Sequence, residues 1–401
     1  MRKPDLQLSA ISNGGLMTGD SANQTELRKA EATTRYLSID FFRGLTVAFM
    51  IIVNSPGTLE HIYAPLNHSE WHGCTLADIV FPSFMLLMGI SMWFSFGKYD
   101  RRWSPAAGRK ILQRTILIFL IGLMLNKFPI FWINPGHWHV MGVLQRLAID
   151  YGVASLLVLT LNRRSLVIVA AGILLIYWGI LNWFAEPGAD PYAMGTNVVL
   201  HFERWLFHAH HLQYSNGQIH FDPESVLNSL PGVVNIILGW FCGMMIARFP
   251  QDKITLIRNL LLTGVLCGLA GLAWNEVMPI NKKLWTSSFV LYSGGVSIIL
   301  LAASIWLVDM IRWRKGIDFF LAFGSNPLLA YVLSEALIQI FCAIQWHNKE
   351  GTFDEYSWIY IHYFKPYGNA EMSSLDFAIV FMLICWLICR RLYIRKIFIR
   401  I

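Results

Sequence analysis

One polar stretch interrupts an otherwise apolar chain, and it holds the residues best suited to acyl chemistry. It runs from Asn54 to Asp78 and includes His68, Trp71, His72, Cys74 and Thr75. A neutral imidazole can attack a thioester or take the proton from an attacking amine or hydroxyl, so His68 is a candidate nucleophile or general base. A lone loop histidine is more commonly plain polar surface, and that reading stays open. Asn54 could hold an oxyanion or orient the histidine, because an amide supplies directed donors without charge. It could equally cap the helix that ends before Pro56-Gly57. Thr75-x-x-Asp78 stands just before an apolar run with the spacing of a capping box. Asp78 is therefore expected either to cap a helix or to take a catalytic role. Pro82, in the second turn of that helix, should distort it.

Ionisable residues inside apolar segments are functional candidates by default. Arg146, in Gly142-Val-Leu-Gln-Arg146, is expected about 12 Å below the outer end of its helix, at 1.5 Å per residue. Pairing with Asp40, Asp150 or Glu335 and binding of an anion explain it equally. Arg43 and Arg114 lie nearer the opposite ends of their helices. Phosphate binding or snorkelling to the interface would account for either. Gly324-Ser325-Asn326-Pro327 falls inside an apolar run, where Pro327 removes a backbone donor. Non-helical backbone at that depth must be buried or line a cavity. The spacing predicts a broken or kinked helix.

These residues need elements to position them, and the composition says which. The chain is 55% hydrophobic and only 14% charged, with a mean hydropathy of +0.47. A soluble chain carries about 25% charged residues, so no water-facing fold could hide this apolar content. Runs near 37–55, 75–97, 110–127, 138–160, 165–184, 225–247, 254–275, 285–307, 317–345 and 374–396 are long enough to span a bilayer. The expected fold is an all-α, polytopic transmembrane bundle of about ten helices. Residues 1–34, rich in Ser, Thr, Asn and charge, read as a disordered cytoplasmic tail, with 35–401 as the transmembrane catalytic domain. Of 32 Lys and Arg, 23 fall on one side of the expected spans and six on the other. Positive residues mark the cytoplasmic side, so both termini are expected there. The net charge of +7 is then topological and gives no reason to expect nucleic acid. The long loops 56–74, 185–224 and 346–373 lie opposite, and long loops in compact proteins tend to carry function.

The six cysteines, Cys74, Cys242, Cys267, Cys342, Cys385 and Cys389, form no CxxC pair or zinc spacing, so neither disulfide framework nor metal is expected. No GxSxG, HExxH, P-loop or dinucleotide fingerprint is present.

Several segments together resemble the heparan-alpha-glucosaminide N-acetyltransferase family and its shorter bacterial relatives. They are Arg35-Tyr-Leu-Ser-Ile-Asp-Phe-Phe-Arg43-Gly-Leu-Thr, Val53-Asn54, His68-Ser-Glu-Trp71 and Thr75-Leu-Ala-Asp78-Ile-Val-Phe-Pro82. Gly142-Val-Leu-Gln-Arg146-Leu, Pro279-Ile-Asn-Lys-Lys-Leu-Trp285-Thr-Ser-Ser and Ser325-Asn326-Pro-Leu-Leu-Ala-Tyr331 complete the set. Each is weak alone; their order and their positions at helix ends make the match specific. The resemblance implies transfer of an acetyl group from cytoplasmic acetyl-CoA to a glucosamine amine across the membrane. It also implies that His68 is the active histidine and Asn54 the catalytic asparagine; Asp78 is kept as a third catalytic candidate. Two departures matter. The N-terminal luminal domain of the lysosomal enzyme is not expected here, so heparan is not carried over as substrate. His72 also stands where the animal enzyme has Asn.

The expectation is therefore a membrane acetyltransferase with acetyl-CoA as co-substrate and no metal. Arg43, Arg114, Arg146 and Asn326 are expected to hold the donor. Trp71, His72, Trp285 and Glu335 are expected to meet an amino sugar or glycan acceptor. Trp71, Trp205, Trp285 and Tyr292 could offer sugar platforms or serve as interfacial anchors. A multi-pass place in the bacterial inner membrane, contact with lipid and a possible homodimer complete the reading. An amino-sugar transporter is the alternative, although the two matching halves common in transporters are not evident.

Overall fold

A computed structural model describes residues 36–129, 139–207, 214–215, 218–219, 221–348 and 351–399. The tail expected over 1–34 lies outside them. Among the described residues thirteen α-helices follow one another: α1 Leu37–Asn54, α2 Leu76–Ser95, α3 Pro105–Leu125, α4 Val143–Thr160, α5 Arg163–Trp183, α6 Val198–Phe207, α7 Ser229–Arg248, α8 Lys253–Trp274, α9 Ser287–Ile305, α10 Ile317–Ser325, α11 Pro327–Ala343, α12 Glu355–Ile359 and α13 Ala370–Ile394. Two antiparallel hairpins, Tyr214–Ser215 with Gln218–Ile219 and Gln345–Asn348 with Gly351–Asp354, are the strand pairs among the described residues.

Among the described residues eight helices are long and apolar enough to cross a membrane, and the bent pair α10–α11 makes a ninth. The tenth expected crossing, α3, spans 21 residues but carries Arg109, Lys110 and Arg114 in its first half. The expected break at Asn326-Pro327 is present: α10 and α11 meet at 85°.

Helix starts follow local side-chain chemistry. Ser104 Oγ accepts from Ala107 N, Asn162 Oδ1 from Ser165 N, Asp252 Oδ1 from Thr255 N and Asn369 Oδ1 from Met372 N. Each acceptor satisfies an amide that the helix leaves unpaired. The expected helix 138–160 begins only at Val143. Arg146 therefore sits in the first turn of α4, a few ångströms from its end and not at the 12 Å depth expected.

The central helices pack through glycine. A Cβ on Gly89 of α2 would lie 2.0 Å from Ile236 O of α7, and one on Gly239 of α7 would lie 2.0 Å from Leu86 O. The same holds where α1 crosses α10, with a Cβ on Gly44 only 1.8 Å from Phe320 O. Lipid tails are as apolar as Leu, so close backbone approach is what holds such helices together. By contrast, α5 and α8 are the least buried spans, at 28% and 22% of their apolar windows. Ile168 and Ile176 on α5 and Leu262, Leu266 and Leu269 on α8 are exposed. A helix apolar on its outward face belongs at the lipid boundary.

Candidate active site

Asp78 occupies the first turn of α2 and is fully buried. A buried carboxylate is costly unless its oxygens are satisfied. Here Oδ2 accepts from Ser69 N at 3.2 Å, Thr75 N at 3.0 Å and Thr75 Oγ1 at 3.2 Å. Oδ1 faces His68 Nδ1 at 2.8 Å and Lys282 Nζ at 3.4 Å. One oxygen thus closes the helix end while the other meets the histidine.

His68 is partly open, with 39% of its side chain exposed, and Lys282 Nζ stands 3.0 Å from the same Nδ1. None of the described residues hydrogen-bonds its other ring nitrogen, Nε2. Sequence reasoning missed Lys282 as a site residue. In sequence it is one of six positive residues on its side of the membrane, within the Pro279–Ser288 motif. The turn that delivers it is tightly determined. Asn281 N donates to Thr286 Oγ1 at 3.0 Å, Leu284 N donates to Asn281 Oδ1 at 2.8 Å, and Trp285 adopts a left-handed backbone at φ +52°. Two further bonds stitch this turn to the histidine loop: Gly73 N to Ile280 O at 2.7 Å and Lys283 Nζ to Glu70 O at 2.7 Å. Gly73 has φ +104°, a conformation glycine reaches without steric cost.

Burial holds the Lys282 ammonium below the ordinary lysine value, while the carboxylates of Asp78 and Glu224 pull it back up. Cys74, beside them, is pushed up to about 12 by burial and then by the Asp78 charge. It is therefore a poor nucleophile at neutral pH.

Asn54, the last residue of α1, lies within hydrogen-bonding reach of Glu335 on α11. Glu335 and Glu224 both act on Tyr331, and Glu224 also acts on Lys282. Among the described residues no hydrogen bond joins Asn54 to His68.

The remaining expected residues have other settings. Trp71 Nε1 donates to Tyr192 O at 2.7 Å, and its ring meets Phe221 edge to face at 5.2 Å. His72 is exposed, with Nδ1 3.5 Å from the Asn281 amide nitrogen. Trp285 corrects an expectation. It is fully buried, donates to Asn235 Oδ1 at 3.0 Å and is covered by the Arg146 guanidinium at 3.7 Å, so its face is closed to a sugar.

Arg146 is itself fully buried. It contacts Glu224 Oε2 at 3.3 Å, Asn228 O at 3.2 Å and, at 3.8 Å, Asp150 Oδ2. Of the partners considered for it, Asp150 is the one present. Arg43 pairs with Asp40 at 2.8 Å and reaches Ser91 Oγ at 2.9 Å. Asn326 binds the C-terminal segment through both amide atoms, donating to Ile397 O at 3.0 Å and accepting from Ile399 N at 2.8 Å. Arg114 lies over the Tyr151 ring at 4.7 Å, and its buried Nε has no hydrogen-bond partner among the described residues. Nor do those residues contain three His, Cys, Asp or Glu grouped to hold a metal ion.

Residues 35–259 match the sequence model described as heparan-alpha-glucosaminide N-acetyltransferase, catalytic. The chain is 26% identical to the mouse heparan-alpha-glucosaminide N-acetyltransferase over 377 residues, covering 80% of this chain and 56% of the relative. The corresponding human protein is 27% identical over 401 residues, covering 86% and 59%. The chain thus spans under three fifths of the length of the curated relatives it matches.

Proposed function

The chain belongs to the heparan-alpha-glucosaminide N-acetyltransferase catalytic family, and from that premise we propose that it is a membrane-embedded acetyltransferase acting on an amino sugar or glycan. The observation that carries this reading is the His68–Asp78 pair: Nδ1 held by a buried carboxylate, Nε2 without a hydrogen-bond partner among the described residues. That leaves one lone pair for chemistry at the edge of an open loop.

Two routes use that lone pair. In the first, Nε2 takes the proton of the acceptor amine as its nitrogen bonds to the acetyl carbon. The carbon–sulfur bond breaks, and Nε2 passes the proton to the departing sulfur. In the second, Nε2 bonds to the acetyl carbon itself, sulfur leaves with the electron pair, and the amine then displaces the imidazole, giving its proton to the freed Nε2. Asp78 stabilises the charge that develops on the ring in either case. Asn54, at the rim and next to Glu335, supplies an uncharged donor for the acetyl oxygen.

Acetyl-CoA is the donor that fits these residues. Arg114 has a buried guanidinium nitrogen in want of an acceptor, which a phosphate oxygen would satisfy, whereas Arg43 and Arg146 are already paired. The excess of Lys and Arg on the Arg114 side supports donor entry from the cytoplasm, with His68 at the outer face of a bacterial inner membrane. His72 and Trp71 flank the loop and would meet the acceptor.

The test is transport-resolved. Protein in liposomes receives acetyl-labelled acetyl-CoA on the basic side and glucosamine on the other. Labelled N-acetylglucosamine, lost in His68→Ala, is the expected result. Glucosamine flux without donor, unchanged in His68→Ala, would overturn the reading in favour of a transporter.

A further inference from the structure

We propose that Lys282 is a positioning residue that holds His68 to a single proton, so that Nε2 stays free at neutral pH. The proposal rests on the acetyltransferase reading above and adds a residue to it.

The geometry poses a proton-counting problem. His68 Nδ1 stands 2.8 Å from Asp78 Oδ1 and 3.0 Å from Lys282 Nζ, while Nζ lies 3.4 Å from the same Oδ1. An ammonium has donors only, and an ionised carboxylate acceptors only. If Nδ1 were bare, its lone pair would oppose the Asp78 oxygen at hydrogen-bond distance. With the proton on Nδ1, the ring donates to Oδ1 at 2.8 Å and the ammonium turns its hydrogens to the same oxygen; the one opposed contact left is Nζ against the Nδ1 proton at 3.0 Å. The proton therefore belongs on Nδ1, and Nε2 keeps its lone pair.

Asp78 alone would not secure that state. An unopposed buried carboxylate beside an imidazole favours a second proton on the ring, because the resulting ion pair neutralises the buried charge. That second proton would occupy Nε2 and end its use as base or nucleophile. Lys282 removes the incentive: it already neutralises Asp78, and it places a positive charge against the ring. The other groups around it do not duplicate this role. Lys283 is turned away onto Glu70 O, His72 faces Asn281, and Cys74 remains a thiol. Glu224 acts on Lys282, and it is engaged by the buried Arg146.

The measurement is the protonation state of His68 in full-length protein carrying nitrogen-15 histidine, with the resonance assigned by its loss in His68→Gln. Wild type and Lys282→Arg, which keeps the charge, are expected to show one protonated and one bare ring nitrogen at pH 7. Lys282→Gln, which keeps polarity but not charge, is expected to show both protonated. In the transfer assay, Lys282→Gln should lose roughly tenfold in kcat at pH 7 with little change in donor KM, and recover most of it near pH 8.5. A ring that stays singly protonated in Lys282→Gln, or an activity loss equal at both pH values, would overturn the proposal. The spectroscopic arm needs no substrate. Absence of transfer in wild type would defeat the acetyltransferase reading while leaving this result intact.

Discussion

The guanidinium of Arg146 lies 3.7 Å from the centroid of the Trp285 ring, and both side chains are fully buried. Arg146 opens α4, and Trp285 closes the turn that carries Lys282. The stacked pair therefore ties the framework of α4 to the polar site, and Glu224 bonds the same arginine from a third direction. Such a contact is worth about 2 kcal/mol when desolvated.

Arg146→Met should destabilise the protein by about 3–5 kcal/mol, since it strands Asp150 and Glu224 without their cation. Arg146→Lys should rescue little of this, because a point charge cannot serve separated acceptors and a ring face at once. Thermal unfolding in detergent, followed by the fraction remaining monodisperse, measures both. Near-native stability in Arg146→Met would show that the cluster is not structural.

Asp78→Asn separates the two jobs of that side chain. An amide oxygen can still accept from Thr75 N, so the start of α2 should survive with a loss near 1 kcal/mol. The histidine, however, loses its ionised partner, and kcat should fall about 10²–10⁴-fold. Steady-state kinetics beside a thermal melt reads the two effects apart. A melt that collapses together with activity would assign Asp78 to capping alone.

The pH behaviour of Cys74 gives an independent view of the same burial. Its folded value is raised from 9.0 to about 12, first by burial and then by the Asp78 charge. The folded state therefore keeps a proton that the unfolded chain releases. The contribution to stability is complete below pH 9 and is lost as pH rises toward 12. Maleimide labelling of Cys74 should stay slow through pH 9 in folded protein and proceed on unfolding. Rapid labelling at pH 7.5 would contradict it.

Much of this arrangement was readable because the bilayer constrains sequence so heavily. Apolar runs placed the long helices, and Pro327 marked the break between α10 and α11. Thr75 and Asp78 marked the start of α2. What stayed hidden was long-range pairing. Lys282 lies 214 residues from His68, and only the folded turn from Pro279 to Thr286 brings them together. Trp285 read as an interfacial aromatic because sequence does not show that an arginine will cover its face. Arg146 was legible as a charge needing a partner, and periodicity even allowed Asp150, one turn along. Glu224 was not foreseen, since no spacing rule links a loop residue to a helix 78 residues away.

Asn326 supplies the last prediction, and its chemistry is double-sided. The amide donates to Ile397 O and accepts from Ile399 N, while only 1% of the residue is exposed. Deleting residues 397–401 removes both partners and leaves a buried amide unsatisfied beside the 85° bend, which should cost about 1–3 kcal/mol. Asn326→Leu removes the polar group instead, so in that background the same deletion should cost much less. The difference between the two deletions in a thermal melt isolates the coupling. Equal losses in both backgrounds would mean that the segment stabilises the bend only by covering apolar surface. A larger loss with Asn326 intact assigns its amide to anchoring the C-terminal segment at the break, where α10 also meets α1 through Gly44 and Gly324.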